Sequence, residues 1–565
     1  MEIENKTINA TQTNMIAWND INWKQAELKV QKIQARIVKA VKEKRWRKVR
    51  SLQGMLTRSL SAKQLAVRNV TENQGKSTPG IDGEVWSSPQ IKAEQVYKLQ
   101  WKGYKARPLK RVYIPKANGR MRSLGIPTLY DRAMQSLQKM GLEPIAETLG
   151  DRHSYGFRPI RRAADAIGYI ICITSKKTSA TWLLDADIKS CFDCISHEWL
   201  LENIPMKKRV LIQWLESGYM EKGLLNATTV GTPQGGIISP ILANMALDGL
   251  ERLIRKSFQS SKLKGENDKV NIVRYADDFL ITGKSKEIIQ ERVKPLVADF
   301  LATRGLELSK EKTRIVHITE GADFLGFSIR KYPCGKVLIK PSKYSQKQFR
   351  QTIKIELAKL KAVTQTEVIA KLHPKITGWI NYYKHCVAKK VFNNLDHWLH
   401  QKLWRWAKRR HPNKSLKWVK NKYFHKYQNQ NWRFGVWETK RNKSIFRNLP
   451  RMSNTPIKRH RLVKGELNPY DPQWKEYMEQ RSTKLVKHIM TYMVYKLLLK
   501  QVGKCQYCQQ QIDENSKWNI HHIKPIKKGG SDSIDNLCLL HPYCHRQLHS
   551  RHTAGLPVQG NLIYA

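Results

Sequence analysis

Apolar residues recur at three- and four-residue steps near both ends of the chain, and gather in short runs between. Over residues 24–70, Val30, Ile33, Ile37 and Val41, then Val49, Leu52, Leu56 and Leu60, predict amphipathic helices. Lys42, Lys44, Arg45, Arg47, Lys48 and Arg50 lie between them, a solvated face or a nucleic-acid-facing one. Beyond Lys340 the helical spacing returns with aromatics: Trp379, Tyr382 and Tyr383, then Phe392, Leu395, Leu399, Leu403 and Trp406. These are most simply the core of a helical bundle. Between these regions the runs are shorter. Val270 to Val273 and Phe279 to Ile281 flank Tyr275-Ala276-Asp277-Asp278, which predicts a β-hairpin with acids at its turn. A second apolar strand, Trp182 to Leu184, leads to Asp187. From about 430 to 500 the pattern lapses. Pro450, Pro456, Pro469 and Pro472 interrupt it, and Ile457-Lys458-Arg459-His460-Arg461 is cationic, so a loop-rich binding segment and a plain linker both fit.

Charge narrows the classes of partner. The 565 residues suffice for several domains. They carry 102 Lys plus Arg against 46 Asp plus Glu, a formal net charge of +56. Self-repulsion on that scale destabilises a compact chain unless a polyanion neutralises it, which points to RNA first and DNA second. A membrane is disfavoured, because no run of 18 apolar residues occurs. Met1-Glu2-Ile3-Glu4-Asn5 lacks a signal peptide's basic start, so the expected compartment is a bacterial cytoplasm.

The acids suggest chemistry. Asp277 and Asp278 repel each other, and a cation is the economical way to keep both. An Asp-Asp turn by itself is as readily a solvated loop or a helix cap. Nucleotidyl transfer needs two Mg²⁺ ions about 3.5–4 Å apart, held by carboxylates; Asp187 can supply the third. Thr232 to Pro240 is a glycine-containing loop that opens a helix (Ile241, Leu242, Met245, Leu247). Ile114-Pro115-Lys116 and Gly119-Arg120-Met121-Arg122 place cations on a hairpin suited to a triphosphate, or to plain solvation.

The ordered set resembles the reverse transcriptases encoded by group II introns. Its members are Gly75 to Gly83, Ile114 to Thr128, Ser154 to Pro159, Asp187 to Asp193, the Gln234 loop, Tyr275 to Asp278, Lys312-Thr313 and Phe324 to Phe327. The resemblance implies that Asp187, Asp277 and Asp278 bind catalytic Mg²⁺. It makes Phe192 the gate against a ribose 2′-hydroxyl. Lys116 and Arg122 would hold the nucleotide phosphates, Gln234 the templating pair and Lys312 the triphosphate's surroundings, with Phe324 to Gly326 as primer grip. Without that framework Phe192 is a core aromatic and Lys312 a surface lysine. Gly378 to Tyr383 and Trp406 to Pro412 look like the family's thumb, or domain X, which grips intron RNA.

Four of the nine cysteines fall in the last sixty or so residues, a clustering that points to metal rather than disulfides. Cys505-x-x-Cys508 and His541-x-x-Cys544 together give a Cys₃His zinc site, with Cys538 the rival to His541 for the fourth place. Nested within it are His521-His522, Asn536, His545 and His549, an order that resembles HNH endonucleases. The resemblance implies that His522 is the general base and Asn536 its orienting partner. His521, His545 and His549 are then candidate ligands for a divalent ion, with Mg²⁺ first choice. One departure is His521, where many HNH sequences carry Asp; it leaves the metal preference open.

The expected fold is therefore multidomain α+β: a right-hand polymerase of fingers, palm and helical thumb, a DNA-binding segment, and a small zinc-stabilised ββα-metal HNH domain. The expected boundaries are 1–75 (basic helical extension), 76–340 (fingers and palm), 341–430 (thumb), 431–500 (DNA-binding region) and 501–565 (HNH). The expected activity is a reverse transcriptase, maturase and nicking endonuclease whose partners are intron RNA, double-stranded DNA and dNTPs. The alternatives are a splicing-only maturase and an RNA-dependent RNA polymerase with a fused nuclease. Phe192 disfavours the latter.

Overall fold

The computed structural model describes residues 16–553, apart from 116–118, 120, 222, 233–234, 259–267, 441–442, 482–491, 513–517 and 527–528. Three N-terminal helices, Trp23–Lys42, Trp46–Arg58 and Leu60–Glu72, pack on Leu129–Leu149. Asn22 caps the first by accepting from the Gln25 amide, and Thr128 caps the last by accepting from Asp131. Their apolar stripes, including Val30, Ile37, Val49, Leu52 and Leu56, belong to one core with Met134, Leu137 and Phe279. The N-terminal helices are thus part of the body, while Lys42, Lys44, Arg45, Arg47, Lys48 and Arg50 stay at the surface.

The acid-bearing sheet runs Asn271–Tyr275, Asp278–Gly283, Trp182–Asp187, Arg314–His317, all pairs antiparallel. Both its faces are buried: Ile272, Phe279 and Ile281 belong to the core shared with the N-terminal helices, and Val273, Leu280 and Leu183 to a second one. Beside it lies a mixed sheet, Met121–Ile126, Leu109–Pro115, Tyr219–Glu221 and Leu224–Asn226.

A second core begins beneath the three-stranded sheet Ala322–Phe324, Phe327–Lys331, Val337–Pro341 and continues into the helices Lys343–Lys359, Gln365–Tyr383, Lys389–Arg410 and Leu416–Tyr423. Phe392, Leu395, Leu399, Leu403 and Trp406 are buried there, as their spacing predicts. Tyr382 departs from that core. It is 41% exposed, and its hydroxyl donates to the Leu325 carbonyl at 2.9 Å. Tyr383 and Ser345 donate to the Gly326 carbonyl, so the helices hold the Phe324 to Gly326 turn.

The unpatterned stretch after 430 is ordered where described. Phe424–Tyr427, Gln430–Lys440 and Lys443–Asn448 form an antiparallel meander whose partners, Phe424 with Phe434 and Trp437 with Phe446, lie on different strands. Cross-strand pairing is invisible to a period count, and Trp437-Glu438 ends the short alternation of Trp432, Phe434 and Val436. Residues 457–481 form a strap on helix Ala163–Thr174. Fully buried Asp165 accepts from Val463 N, His460 Nε2 and Arg481 Nη2 at 2.8–3.1 Å. Leu462 lies where a Cβ on Gly168 would sit, 2.7 Å away. A free linker would make none of these contacts.

The last described unit pairs Asn519–His522 with Leu537–Leu540 and adds helices Tyr492–Lys500 and Pro542–Thr553 around a small core. It sits against the N-terminal helices. Gln547 donates to the Asn19 and Ile21 carbonyls, Asn19 to Ser550, and Arg546 pairs with Glu72. The Arg68 guanidinium lies against both the Trp23 and Tyr543 rings, 4.7 and 4.6 Å from their centroids, and pairs with Glu27.

Candidate active sites

Strand register brings the acids together. Asp187 is directly opposite Asp278, and Ala276, in the left-handed region (φ +57°), turns the hairpin so that Asp277 adjoins them. Burial pushes Asp278 up to about 7, with the charges of Asp277 and Asp187 adding. Burial also raises Asp277, Asp187 adds to it, and Arg122 and Lys312 oppose. Lys312 donates to Asp187. A cluster in which the Asp187 charge raises the proton affinity of both Asp277 and Asp278 fits divalent cations, which would remove the repulsion.

The surroundings hold that turn from behind. Arg274, 2% exposed, pairs with Asp248 and donates to Asn244 Oδ1 (3.1 Å) and to the Ala276 carbonyl (3.4 Å). Asn244 in turn donates to the Gly156 carbonyl at 2.8 Å. Gly156 lies so close that a Cβ there would be 2.4 Å from Ala276 N. Sequence reasoning missed Arg274, Asn244 and Asp248. The available signal was a charged residue inside the apolar run Ile272-Val273-Arg274, which a strand with one wet face rarely places inward.

Phe192 is partly buried on the short helix Cys191–Cys194, just after Asp187, with its ring 6.2 Å from Phe157 and its carbonyl accepting from Thr232 N. Arg122 is exposed on its strand and near enough to act on Asp277. Lys116 and Gln234 lie outside the described residues.

In the C-terminal unit, Cys505, Cys508, His541 and Cys544 are buried with ligand atoms within 4.8 Å of one another. Cys508 Sγ is 3.3 Å from His541 Nδ1. A tetrahedral ion with bonds of about 2.1–2.3 Å asks for an edge of roughly 3.6 Å there, so the donors fit. Cys538 is elsewhere, opposite His521 on the paired strands, and burial pushes its thiol up to about 12.

His521, His545 and His549 form a second trio within 4.8 Å. His545 and His549 share a helix face, Nε2 to Nε2 3.3 Å. Burial, then His545 and His549, push His521 down to about 4, so it presents a neutral imidazole. His522 stands beside the trio, with Nε2 2.8 Å from Asp532 Oδ1. Asn536 is engaged otherwise than expected. Its amide donates to the Lys524 and Ser531 carbonyls and accepts from Lys524 N, closing the loop around His522. The carboxylate on His522 is Asp532, a residue not singled out in the sequence, where it looked like one more acid in a polar loop.

Known proteins share these features. Residues 18–99 match the N-terminal domain of reverse transcriptase, and 114–329 match reverse transcriptase (RNA-dependent DNA polymerase). Residues 346–424 match the group II intron, maturase-specific domain, and 505–551 match HNH endonuclease. Protein YkfC of Escherichia coli (strain K12) is 30% identical over 353 residues, 56% of this chain and 90% of its own. Group II intron-encoded protein LtrA of Lactococcus lactis subsp. cremoris is 31% identical over 392 residues, 58% of this chain and 62% of its own. The uncharacterized 91 kDa protein in cob intron of Schizosaccharomyces pombe is 24% identical over 567 residues, 82% of this chain and 69% of its own. The chain thus matches under two thirds of LtrA's length. No helix among the described residues is long and apolar enough to cross a membrane. The chain belongs to the group II intron-encoded proteins, and it is a reverse transcriptase that carries a maturase-specific domain and an HNH endonuclease domain in the same polypeptide.

Proposed function

We propose that this protein binds its own intron RNA to promote splicing, and that the resulting ribonucleoprotein then inserts the intron into double-stranded DNA in the bacterial cytoplasm. The HNH domain nicks the DNA strand that the RNA does not enter. The exposed 3′-hydroxyl primes copying of the intron RNA from dNTPs. The observation that carries this reading is the cross-strand opposition of Asp187 and Asp278, with Asp277 at the adjoining turn.

In this reading the acid-bearing sheet is the palm, residues up to about 340 include the fingers, 341–430 is the thumb, 431–500 contacts target DNA, and 501–565 is the nuclease. The N-terminal region 1–75 and the thumb present their cations to RNA. Asp187, Asp277 and Asp278 hold Mg²⁺, which when bound activates the primer hydroxyl and steadies the departing pyrophosphate. Lys116 and Arg122 clasp the incoming phosphates, Lys312 lies beside them, and Gln234 meets the templating pair. Phe192 occupies the space a 2′-hydroxyl needs. Cys505, Cys508, His541 and Cys544 hold structural Zn²⁺, stabilising a unit whose apolar core is small. His521, His545 and His549 hold the nuclease ion, Mg²⁺ by preference. His522 takes the proton from the attacking water, and Asp532 orients its imidazole.

Asp277→Ala should abolish cDNA synthesis on poly(rA)/oligo(dT) while RNA-assisted splicing stays within about twofold of wild type, since uniform RNA contacts lie elsewhere. Equal loss of both activities would refute the assignment. Wild-type extension no better than that of Asp278→Ala would favour a splicing-only protein.

A further inference from the structure

We propose that the cavity between helix Lys389–Arg410 and strand Gln430–Lys440 binds one unpaired nucleotide of a single-stranded nucleic acid. The inference rests on the reading above that the chain binds nucleic acid, and it names a site for it. The cavity is about 770 Å³, within the usual range of roughly 300–1,000 Å³ for a small-molecule pocket.

Its composition matches the parts of a nucleotide. Leu399, Leu403, Phe434 and Leu449 line its floor and are at most 6% exposed. Trp432 forms a wall. Its indole is 43% exposed although His400, Trp404 and Phe424 surround it at ring distances of 5.5–6.0 Å. Its backbone is left-handed, at φ +60°, a region that side chains of this bulk rarely enter. The neighbouring strand loses register between His425 and Tyr427. A half-exposed indole held on a strained backbone is the kind of feature that functional sites retain.

Polar groups converge on the same space. Arg350 Nε and His400 Nε2 are buried without a hydrogen-bond partner. Asn393, Asn394 and Asn431 offer amides that can both donate and accept, as base edges require. Asp396, the carboxylate in the lining, is already used: it accepts from Met452 N and Ser453 N and faces Arg451 at 3.8 Å. Arg433 is likewise committed, to Asn448 and the Leu449 carbonyl. Arg350 is then placed to meet the phosphate, and Lys420, 5.0 Å from the Trp432 ring centroid, to meet the next one along the strand. A base must leave its duplex stack to enter, so the occupant is single-stranded.

The test uses the full chain with three fluorescein-labelled probes: an oligouridylate of about a dozen residues, the matching oligodeoxyuridylate, and an RNA duplex of similar length. Trp432→Ala should weaken single-strand binding about tenfold, the expected loss of one base–indole stack, with duplex binding within about twofold of wild type. Arg350→Gln should reduce single-strand binding and its salt dependence together. A 5-bromouridine-substituted probe should cross-link to the peptide containing Trp432. Urea midpoints unchanged from wild type confirm that both variants fold. Tighter binding of oligouridylate than oligodeoxyuridylate assigns the pocket to an RNA strand, and the reverse order assigns it to a DNA strand. If wild type binds both single-strand and duplex probes, but Trp432→Ala binds them equally well and no cross-link maps there, the pocket is refuted and the broader reading stands. If wild type binds no probe, the broader reading falls with it.

Discussion

At Gly156 a single methyl group would collide with the backbone that carries two of the three acids. Gly156→Ala places its Cβ 2.4 Å from Ala276 N, so the hairpin turn must give way. Displacing reacting groups by about 1 Å can cost roughly a hundredfold in rate, and primer extension should fall on that scale while RNA binding holds. Phe192 acts through size instead. Its ring is partly exposed at the edge of the core, on the short helix that follows Asp187 in the chain. Phe192→Val should therefore raise ribonucleotide use relative to deoxynucleotide use by at least roughly tenfold, measured as the ratio of kcat/KM values. An unchanged ratio would return the ring to a packing role. The acids were legible in the sequence because apolar runs bracket them, and the strands then pair as those runs predict. Arg274 and Asn244 were not, because their value lies in partners 26–88 positions away along the chain.

The strap over Ala163–Thr174 shows how an element with no periodicity is fixed. Burial alone would raise Asp165, but hydrogen bonds and charge from His460 and then Arg481 outweigh it and hold the carboxyl below its ordinary value. Asp165→Asn should cost about 3 kcal/mol and expose 457–481 to limited proteolysis, because it leaves the buried Arg481 without its anion. Acid should loosen the strap too. His385, whose ring lies 6.2 Å from that of His460, is pushed by burial down to about 4. A histidine depressed in the folded state supports folding fully above its unfolded value of about 6.5, and that support is lost as pH falls toward 4, of order 3 kcal/mol in all. Asp165 contributes in the same direction at lower pH, below about 4. Urea midpoints should fall between neutral pH and about 5, and His385→Gln should flatten that slope. The helices of 343–423 were readable in advance because 3.6-residue spacing is a local property. The meander and the strap were not: the meander is specified by cross-strand partners that no single-strand pattern displays, and the strap by contacts with Asp165, far off in sequence.

At the scale of the molecule, the charge of +56 and the two metal-ready clusters divide the labour. Chelating the ion proposed for the Cys₃His cluster with 1,10-phenanthroline, then restoring Mg²⁺, should abolish nicking, because the four donors would no longer close the unit. Primer extension should persist, since its acids belong to a different core. Loss of both activities together would mean that the nuclease unit supports the polymerase body. That outcome makes the contact of Arg68 with the Trp23 and Tyr543 rings consequential. It joins the nuclease unit to helices at the opposite end of the chain, with Tyr543 beside His541 of the Cys₃His cluster. With cutting and copying centres joined through these contacts, the gap between the severed phosphodiester and the first copied base is expected to be a length set by the protein. Arg68→Ala should blur that length, scattering nick positions that wild type keeps in register.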